Sequence, residues 1–464
     1  MRGVTALWTS AEIAAATGGT ASERFEATGV TFDSRDVQPG DLFVAMPGTV
    51  HDGHKFVDGA FAAGATGAIV SQPVNGPHVL VPDTFAALQA LGRASRERSR
   101  ATVFGVTGSV GKTSTKEALY TVLDRNRPGK VHRSVKSYNN HTGVPLSLAR
   151  MPRDTYFAVF EMGMNNKGEI AALTRQVRPH VALITAIAPA HIENLGSMES
   201  IADAKAEIFE GLEPDGVAIV PNDTPQRDRL VKAARRHAHR IITFGRGDAD
   251  VHAVHAVSAE GSGSLISAAL LERELTFTIS QRGEHWVSNA LAVLAAVEAV
   301  GADVGLAGLA LADLGGLKGR GQRHLIEIDG GEVLLIDESY NANPASMAAT
   351  LKSLGAEKDV ARRIAVLGPM RELGQHSDSL HAGLAPGILA AHVDQLILIG
   401  EEMAPLVDAL DGHVAVARVG SVDQATDALK RMIRPGDAVL VKASNSVGLA
   451  KLVESMAKEL ACST

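Results

Sequence analysis

The run Gly105-Val106-Thr107-Gly108-Ser109-Val110-Gly111-Lys112-Thr113-Ser114 constrains this chain more than any other stretch. It follows a β-type run, Ala101 to Phe104, and precedes a helical one, Thr115 to Leu123. A strand that turns through glycines into a helix start aims several backbone N–H groups at one point, and the helix dipole adds to them. Phosphate fits there. A lysine at Lys112 can reach the terminal phosphates, and the Thr113 hydroxyl can ligate Mg²⁺. Against the pattern G-x-x-x-x-G-K-[ST], the leading glycine falls one residue early, with Val106 in its place, and T-G-x-x-G-K-T remains. The plainer alternative is a glycine-rich turn with an incidental lysine. The strand–loop–helix setting favours a nucleoside triphosphate site instead.

The rest of the chain reads as α/β in three domains. Residues 1–98 mix short strands and helices, including the strands Leu42–Met46 and Gly67–Ser71, and form a small mixed α/β domain. A capped helix start, rather than a signal peptide, is expected at Leu7 to Ile13. The charged segment Arg93 to Arg100 is expected to separate this part from the next. From 99 to 325, apolar strands at 156–160, 181–187, 217–220 and 240–244 alternate with helices. That pattern implies a mostly parallel sheet covered by helices on both faces. Residues 248–281 break it and predict an antiparallel edge, followed by a helix from about 287 to 300. From 326 to 464 the alternation resumes, with strands at 333–336, 363–367, 395–399 and 438–441, and predicts a Rossmann-like domain. No G-x-G-x-x-G occurs there, which argues against a dinucleotide.

Composition narrows the function. A net charge of −7 opposes a nucleic-acid footprint, which would be basic. The lone Cys462 excludes a disulfide framework and fits a reducing compartment. No apolar run reaches membrane-spanning length, so a cytoplasmic protein is expected.

Ligands of open α/β sheets sit beyond the carboxyl ends of the strands. Glu161 ends the run 156–160, where an acid in a phosphate-loop protein is the usual second Mg²⁺ anchor; an exposed strand end is the alternative. Asp337 ends 333–336 in the same manner. His191 follows 181–187 and is equally readable as structural or as a ligand. Lys205 is the anomaly. A helix over 201–212 places Ile201, Lys205, Ile208, Phe209 and Leu212 on one face. Either the lysine stem snorkels, or burial lowers its pKa and frees a neutral amine. A neutral amine can take up CO₂ as a carbamate, an anion suited to a hard divalent ion.

These residues resemble the Mur ligase family. The resemblance is carried by Thr107 to Thr113, by Ser137-Tyr138-Asn139-Asn140-His141-Thr142-Gly143-Val144-Pro145-Leu146, and by Glu161-Met162-Gly163 with Gly168-Glu169-Ile170. It continues through Ala190-His191, Lys205-Ala206-Glu207-Ile208-Phe209 and Asp337-Glu338-Ser339-Tyr340-Asn341-Ala342-Asn343-Pro344. It spans essentially the whole chain, and two of its segments favour the member that joins D-alanyl-D-alanine to UDP-N-acetylmuramoyl-tripeptide. It therefore implies an ATP-dependent amide ligase working through an acyl phosphate, as a monomer. Residues 1–98 would receive the UDP end, 99–325 ATP, and 326–464 the dipeptide and part of ATP.

Residue by residue, the resemblance implies that Thr107, Gly108, Ser109, Val110, Gly111 and Lys112 hold the ATP phosphates. Thr113 and Glu161 would hold one Mg²⁺, and His191 with carbamylated Lys205 a second. Asn289 would contact adenine, Asp337 the ribose, and Arg320 the γ-phosphate. Ser34, Arg35, Asn139, Asn140 and Thr142 would meet the UDP-substrate. Three positions depart from the family pattern: Trp286, where Asn or His is common, Pro369 in place of an acid, and Asn445 in place of Arg. The alternatives are a sibling ligase adding a single amino acid, a folate-polyglutamate ligase, and a nucleotide-binding protein without ligase chemistry.

Overall fold

Strands apolar on both faces need cover on both faces. The computed structural model, which describes residues 6–48, 52–258 and 263–459, gives the central sheet that cover. Its nine strands run in the order Glu274–Ile279, Ser264–Ala269, Val251–Ser258, Arg240–Gly245, Val217–Pro221, Val181–Ile184, Thr102–Thr107, Phe157–Glu161 and Val131–Arg133. Pairing is parallel from Val131–Arg133 through to Val251–Ser258. The last two strands add antiparallel, the edge expected of residues 248–281. Helices Lys112–Asn126 and Glu284–Ala299 seal one face through Leu119, Val122, Leu291 and Val293. Helices Gly143–Ala149, Glu169–Val177 and Met198–Ala206 seal the other.

The strand Thr102–Thr107 lies between Val181–Ile184 and Phe157–Glu161, so chain order reverses on either side of it. Such a switch point opens a crevice beyond the strand ends. The C-terminal sheet faces that crevice. Its order is Gln322–Ile328, Gly331–Glu338, Asp437–Lys442, Arg362–Leu367, Gln395–Ile399 and Ala415–Val419, with only the first pair antiparallel. This sheet begins at Gln322 rather than at 326. The N-terminal sheet has five short strands and shares a core with Leu146 and Ala149 of the helix Gly143–Ala149.

Three local expectations give way to packing. The charged segment 93–100 is the end of a helix, Thr84–Arg98, capped by Asp83. It binds the first two sheets together rather than separating them. Arg96, 5% exposed, donates Nε to the carbonyl of Val177 and Nη2 to that of Arg178, both at 2.8 Å, and pairs with Glu213 at 3.1 Å. It thus satisfies orphan carbonyls at the C-terminus of Glu169–Val177, where a cation is favoured by the dipole.

The strand expected over 181–187 stops at Ile184, because the next residues bond the phosphate loop. The helix expected over 201–212 is α-helical only to Ala206 and tightens to a 3₁₀ turn at Glu207–Gly211. There Glu207 turns inward and accepts the N–H groups of Gly168 and Ala171 at 2.7 and 3.1 Å, capping the neighbouring helix. The capped start expected near the N-terminus is present: Thr9 and Glu12 form a reciprocal capping box for Ser10–Thr17.

Candidate active site

The phosphate loop is fixed from below and from the side. Val106, where the pattern wants glycine, is an interior strand residue with no exposure, so no glycine is needed there. The loop proper needs two. Gly108 has φ +149°, and a Cβ on it would stand 1.9 Å from Thr185 Oγ1; Gly111 has φ +84°, and its Cβ would stand 2.7 Å from Asn289 Oδ1. Thr185 Oγ1 donates to the Val110 carbonyl at 2.5 Å, Ser109 N to the Ala186 carbonyl at 2.8 Å, and Ser109 Oγ to the Ala188 carbonyl at 2.9 Å. The helix Lys112–Asn126 then starts at Lys112 itself, with Gly111 as its left-handed cap. Its first N–H groups are left for a ligand. Lys112 Nζ meanwhile rests on the Gly108 carbonyl at 2.7 Å.

Glu161 stands beside this helix start at the end of its strand. Its Oε2 accepts the Thr113 hydroxyl at 2.8 Å, its Oε1 accepts the Asn139 amide at 2.8 Å, and its own N–H bonds Ser134 Oγ at 2.9 Å. Ser137 Oγ lies 3.5 Å from Thr113 Oγ1. Lys112, Thr113, Glu161, Asn139, His191 and Asn289 all line one cleft of about 430 Å³, and Arg320 closes it from the C-terminal sheet. Glu338, Tyr340 and Lys442 complete that far wall.

The Arg320 guanidinium stacks 4.2 Å over the Tyr340 ring. The turn that carries it is held by Asp337, whose Oδ2 accepts Gly319 N at 2.8 Å and whose Oδ1 accepts the Ser339 N–H and hydroxyl at 3.0 and 2.6 Å. Asp337 is buried with both oxygens engaged, and the acid on this far wall of the cleft is its neighbour Glu338. Thr107, without exposure, and Gly108 lie beneath the loop rather than on the wall.

Charge in the cleft is mostly positive. Burial pulls Lys112 below the usual lysine range; Glu161 opposes the shift and Arg320 adds to it. Burial likewise lowers Lys442 and raises Glu338, whose carboxylate sits 3.5 Å from the Lys442 ammonium. Lys205, 1% exposed on the helix Met198–Ala206, is held well below the lysine range, first by burial and then by Lys112. It does not reach the cleft wall. His191, with φ +57°, pairs through Nδ1 with Glu372 of the C-terminal layer, which lowers the Glu372 carboxyl. Asn140 and Thr142 are engaged within their own turn, where Asn140 Oδ1 accepts the N–H groups of Thr142 and Gly143. Ser34 and Arg35 lie away from the cleft, and Arg35 pairs with Asp33 at 2.6 Å. Of the three departures, Trp286 and Asn445 line the cleft and Pro369 does not.

Sequence reasoning leaves out Ser137, Glu338, Glu372 and Lys442 as functional candidates. Lys442 ends an apolar strand just as Glu161 does, so the same signal is available for it. Glu372 has none, since its partner is supplied by a different layer.

Among the described residues no three His, Cys, Asp or Glu side chains gather as a metal cage, and no helix is long and apolar enough to cross a membrane. Magnesium needs no such cage: it takes one or two protein oxygens and completes its shell with water and phosphate. The adjacent Thr113 hydroxyl and Glu161 carboxylate fit that demand.

A phosphate loop facing an arginine from a second α/β layer across one cleft defines a nucleoside-triphosphate site. The chain belongs to the Mur ligase family: the Mur ligase family catalytic domain matches residues 26–101, the Mur ligase middle domain 106–297, and the Mur ligase glutamate ligase domain 319–445. It is 35% identical over 452 residues to the UDP-N-acetylmuramoyl-tripeptide--D-alanyl-D-alanine ligase of Bacillus subtilis, covering 95% of this chain and 96% of that one. The ligase of the same name from Rickettsia prowazekii is 32% identical, covering 97% and 99%. Among solved structures, MurF from Acinetobacter baumannii aligns with a TM-score of 0.84 at 30% identity, over 97% of this chain and 99% of that one. MurF ligase from Thermotoga maritima, solved in complex with ADP, aligns at 0.77 and 28%, over 94% and 98%.

Proposed function

We propose that this ligase joins D-alanyl-D-alanine to UDP-N-acetylmuramoyl-tripeptide at the expense of ATP, in peptidoglycan precursor synthesis. The observation that carries the reading is the cleft itself, in which Lys112, Thr113 and Glu161 of one layer face Arg320 of the other. The chain's likeness to ligases of that name over nearly their whole length supports the choice of substrates. We assign residues 1–98 to the UDP end, 99–325 to ATP, and 326–464 to the dipeptide and part of ATP. Such substrates put the reaction in the cytoplasm.

The tripeptide's terminal carboxylate attacks the γ-phosphorus, the bond to the bridging oxygen breaks, and ADP leaves an acyl phosphate. The neutral dipeptide amine then attacks the acyl carbon, loses a proton and expels phosphate. Two anions must meet in the first step, so positive charge fixed beforehand is the main requirement. Lys112 and the loop N–H groups hold the β- and γ-phosphates. Arg320, braced by Asp337 and stacked on Tyr340, meets the transferring group from the opposite side. Asn289 flanks the loop for the base, and Asn139 orients Glu161 while presenting the loop that receives the peptide.

Thr113 and Glu161 would hold one Mg²⁺, and His191 with carbamylated Lys205 a second. Bound magnesium offsets phosphate charge. The carbamate fits the electrostatics of Lys205. As ammonium it would oppose Lys112 in a buried place; as carbamate it would attract it.

The test is phosphate release from ATP with UDP-N-acetylmuramoyl-tripeptide, with and without D-alanyl-D-alanine. Release that requires both, with a UDP-pentapeptide product by mass, is the expected result. Release driven by a single amino acid would reassign the chain to a sibling activity. No release with any amine would leave a nucleotide-binding protein.

A further inference from the structure

Lys116 is among the largest side chains with no solvent exposure, and nothing in the chemistry above uses it. It sits one helical turn after Lys112 on the phosphate-loop helix. A lysine so buried loses hydration that its partners must replace. Its ammonium donates to the backbone carbonyl of Lys136 at 2.6 Å and pairs with Glu117 Oε1 at 2.8 Å. Glu117 is held in turn by Arg133 at 2.9 Å, and the Arg133 guanidinium lies 3.6 Å over the Tyr120 ring.

The carbonyl it holds belongs to a strained residue. Lys136 has φ +50°, a left-handed conformation that is strained for a non-glycine residue. Such a conformation persists where its surroundings fix it, and Lys116 supplies the fixed donor. Just after this kink, Ser137 approaches Thr113 and Asn139 bonds Glu161. Alternating with them, the Lys136 side chain reaches Asp36, and Tyr138 stacks on Phe32 at 5.6 Å, both partners in the N-terminal layer. One short loop therefore touches the Thr113–Glu161 pair and the 32–36 segment together.

We infer that Lys116 is a positioning residue: it locks the 134–142 loop so that occupancy of the N-terminal layer is transmitted to Glu161 and Thr113. This rests on the proposed substrates only for what occupies each end. The lock itself is a property of the free protein.

Two measurements on the full chain separate these. In Lys116→Met without ligands, amide exchange over 136–140 is expected to rise about tenfold, with exchange in the strand Thr102–Thr107 unchanged. Lys116→Arg, which keeps a donor, should recover most of the protection. In assays, K116M should lower kcat about tenfold or more while KM for D-alanyl-D-alanine stays within about twofold, since the dipeptide's layer is untouched. It should also abolish any effect of UDP-N-acetylmuramoyl-tripeptide on nucleotide affinity. A folded K116M with parental exchange and parental kcat overturns the inference. If the parent releases no phosphate, the proposed substrates fail, and the exchange result still decides the lock. Should K116M not fold, Lys116→Gln keeps a polar end but withdraws the donor from the Lys136 carbonyl; unchanged exchange in that variant also overturns it.

Discussion

Glu161 divides its carboxylate between two parts of the central layer, taking the Thr113 hydroxyl on one oxygen and the Asn139 amide on the other, each at 2.8 Å. The phosphate-loop helix and the 134–142 loop therefore share a single acid. Glu161→Gln keeps the size of the group but removes its charge and turns half of it into a donor. We expect kcat to fall on the order of 100-fold or more, the scale seen when one fixed electrostatic group is lost. The fold should hold, because Ser134 bonds the backbone N–H of Glu161 rather than its side chain. Steady-state phosphate release with both substrates, alongside a thermal melt, checks this; kcat within about threefold of the parent would remove Glu161 from the mechanism.

The resemblance to the Mur ligases implies a ribose contact for Asp337. The structure gives its two oxygens to Gly319 and Ser339 instead, so its influence passes through Arg320. Asp337→Ala should leave buried donors unpaired and cost about 1–3 kcal/mol of stability, with kcat lowered about tenfold through a misplaced Arg320. A direct ribose contact would behave differently: KM for ATP would rise with the melting temperature unchanged. Parallel melts and ATP titrations distinguish the two.

Much of this architecture is legible in the sequence, and the exceptions share a cause. Period and composition disclose the parallel sheet, its antiparallel edge and the strand-end positions of Glu161 and Asp337, because each depends on residues close in sequence. Lys205 betrays itself as a lysine on an apolar face. Distant partners decide the rest. Arg96 looks like part of a charged linker until its acceptors at Val177 and Arg178 are in place. Glu207 tightens its helix to serve Gly168 and Ala171. Glu372 meets His191 only because two sheets face each other. No local pattern encodes such pairs.

Lys205 tests the carbamate. Lys205→Ala should lose activity on the order of 100-fold or more, since a charge aligned with Lys112 disappears from the buried side of the site. Added short carboxylic acids, which can refill an anionic position, should restore part of it. Mass spectrometry under trapping conditions should find one CO₂ adduct on Lys205 in the parent. Full activity of K205A without additives would strip the modification of any catalytic role.

His132 is expected to make the stability of the central sheet depend on pH. It is half-buried, its Nε2 meets the Ser147 carbonyl at 2.7 Å, and desolvation depresses its pKa to about 4 from an ordinary 6.5. The folded protein thus keeps His132 neutral while the unfolded chain protonates it. Its contribution to stability is complete above about pH 6.5 and is lost as pH falls toward 4. Between pH 7 and pH 5 that loss amounts to about 2 kcal/mol. His132→Gln can still donate to Ser147 and does not titrate, so it should lie below the parent at pH 7 yet lose about 2 kcal/mol less on going to pH 5. Urea unfolding followed by tryptophan fluorescence at the two pH values measures the difference, with Trp286 reporting from the other face of the same sheet. Equal losses in parent and variant would mean that acid acts elsewhere, with His285, also depressed to about 4 by burial, the next group to replace.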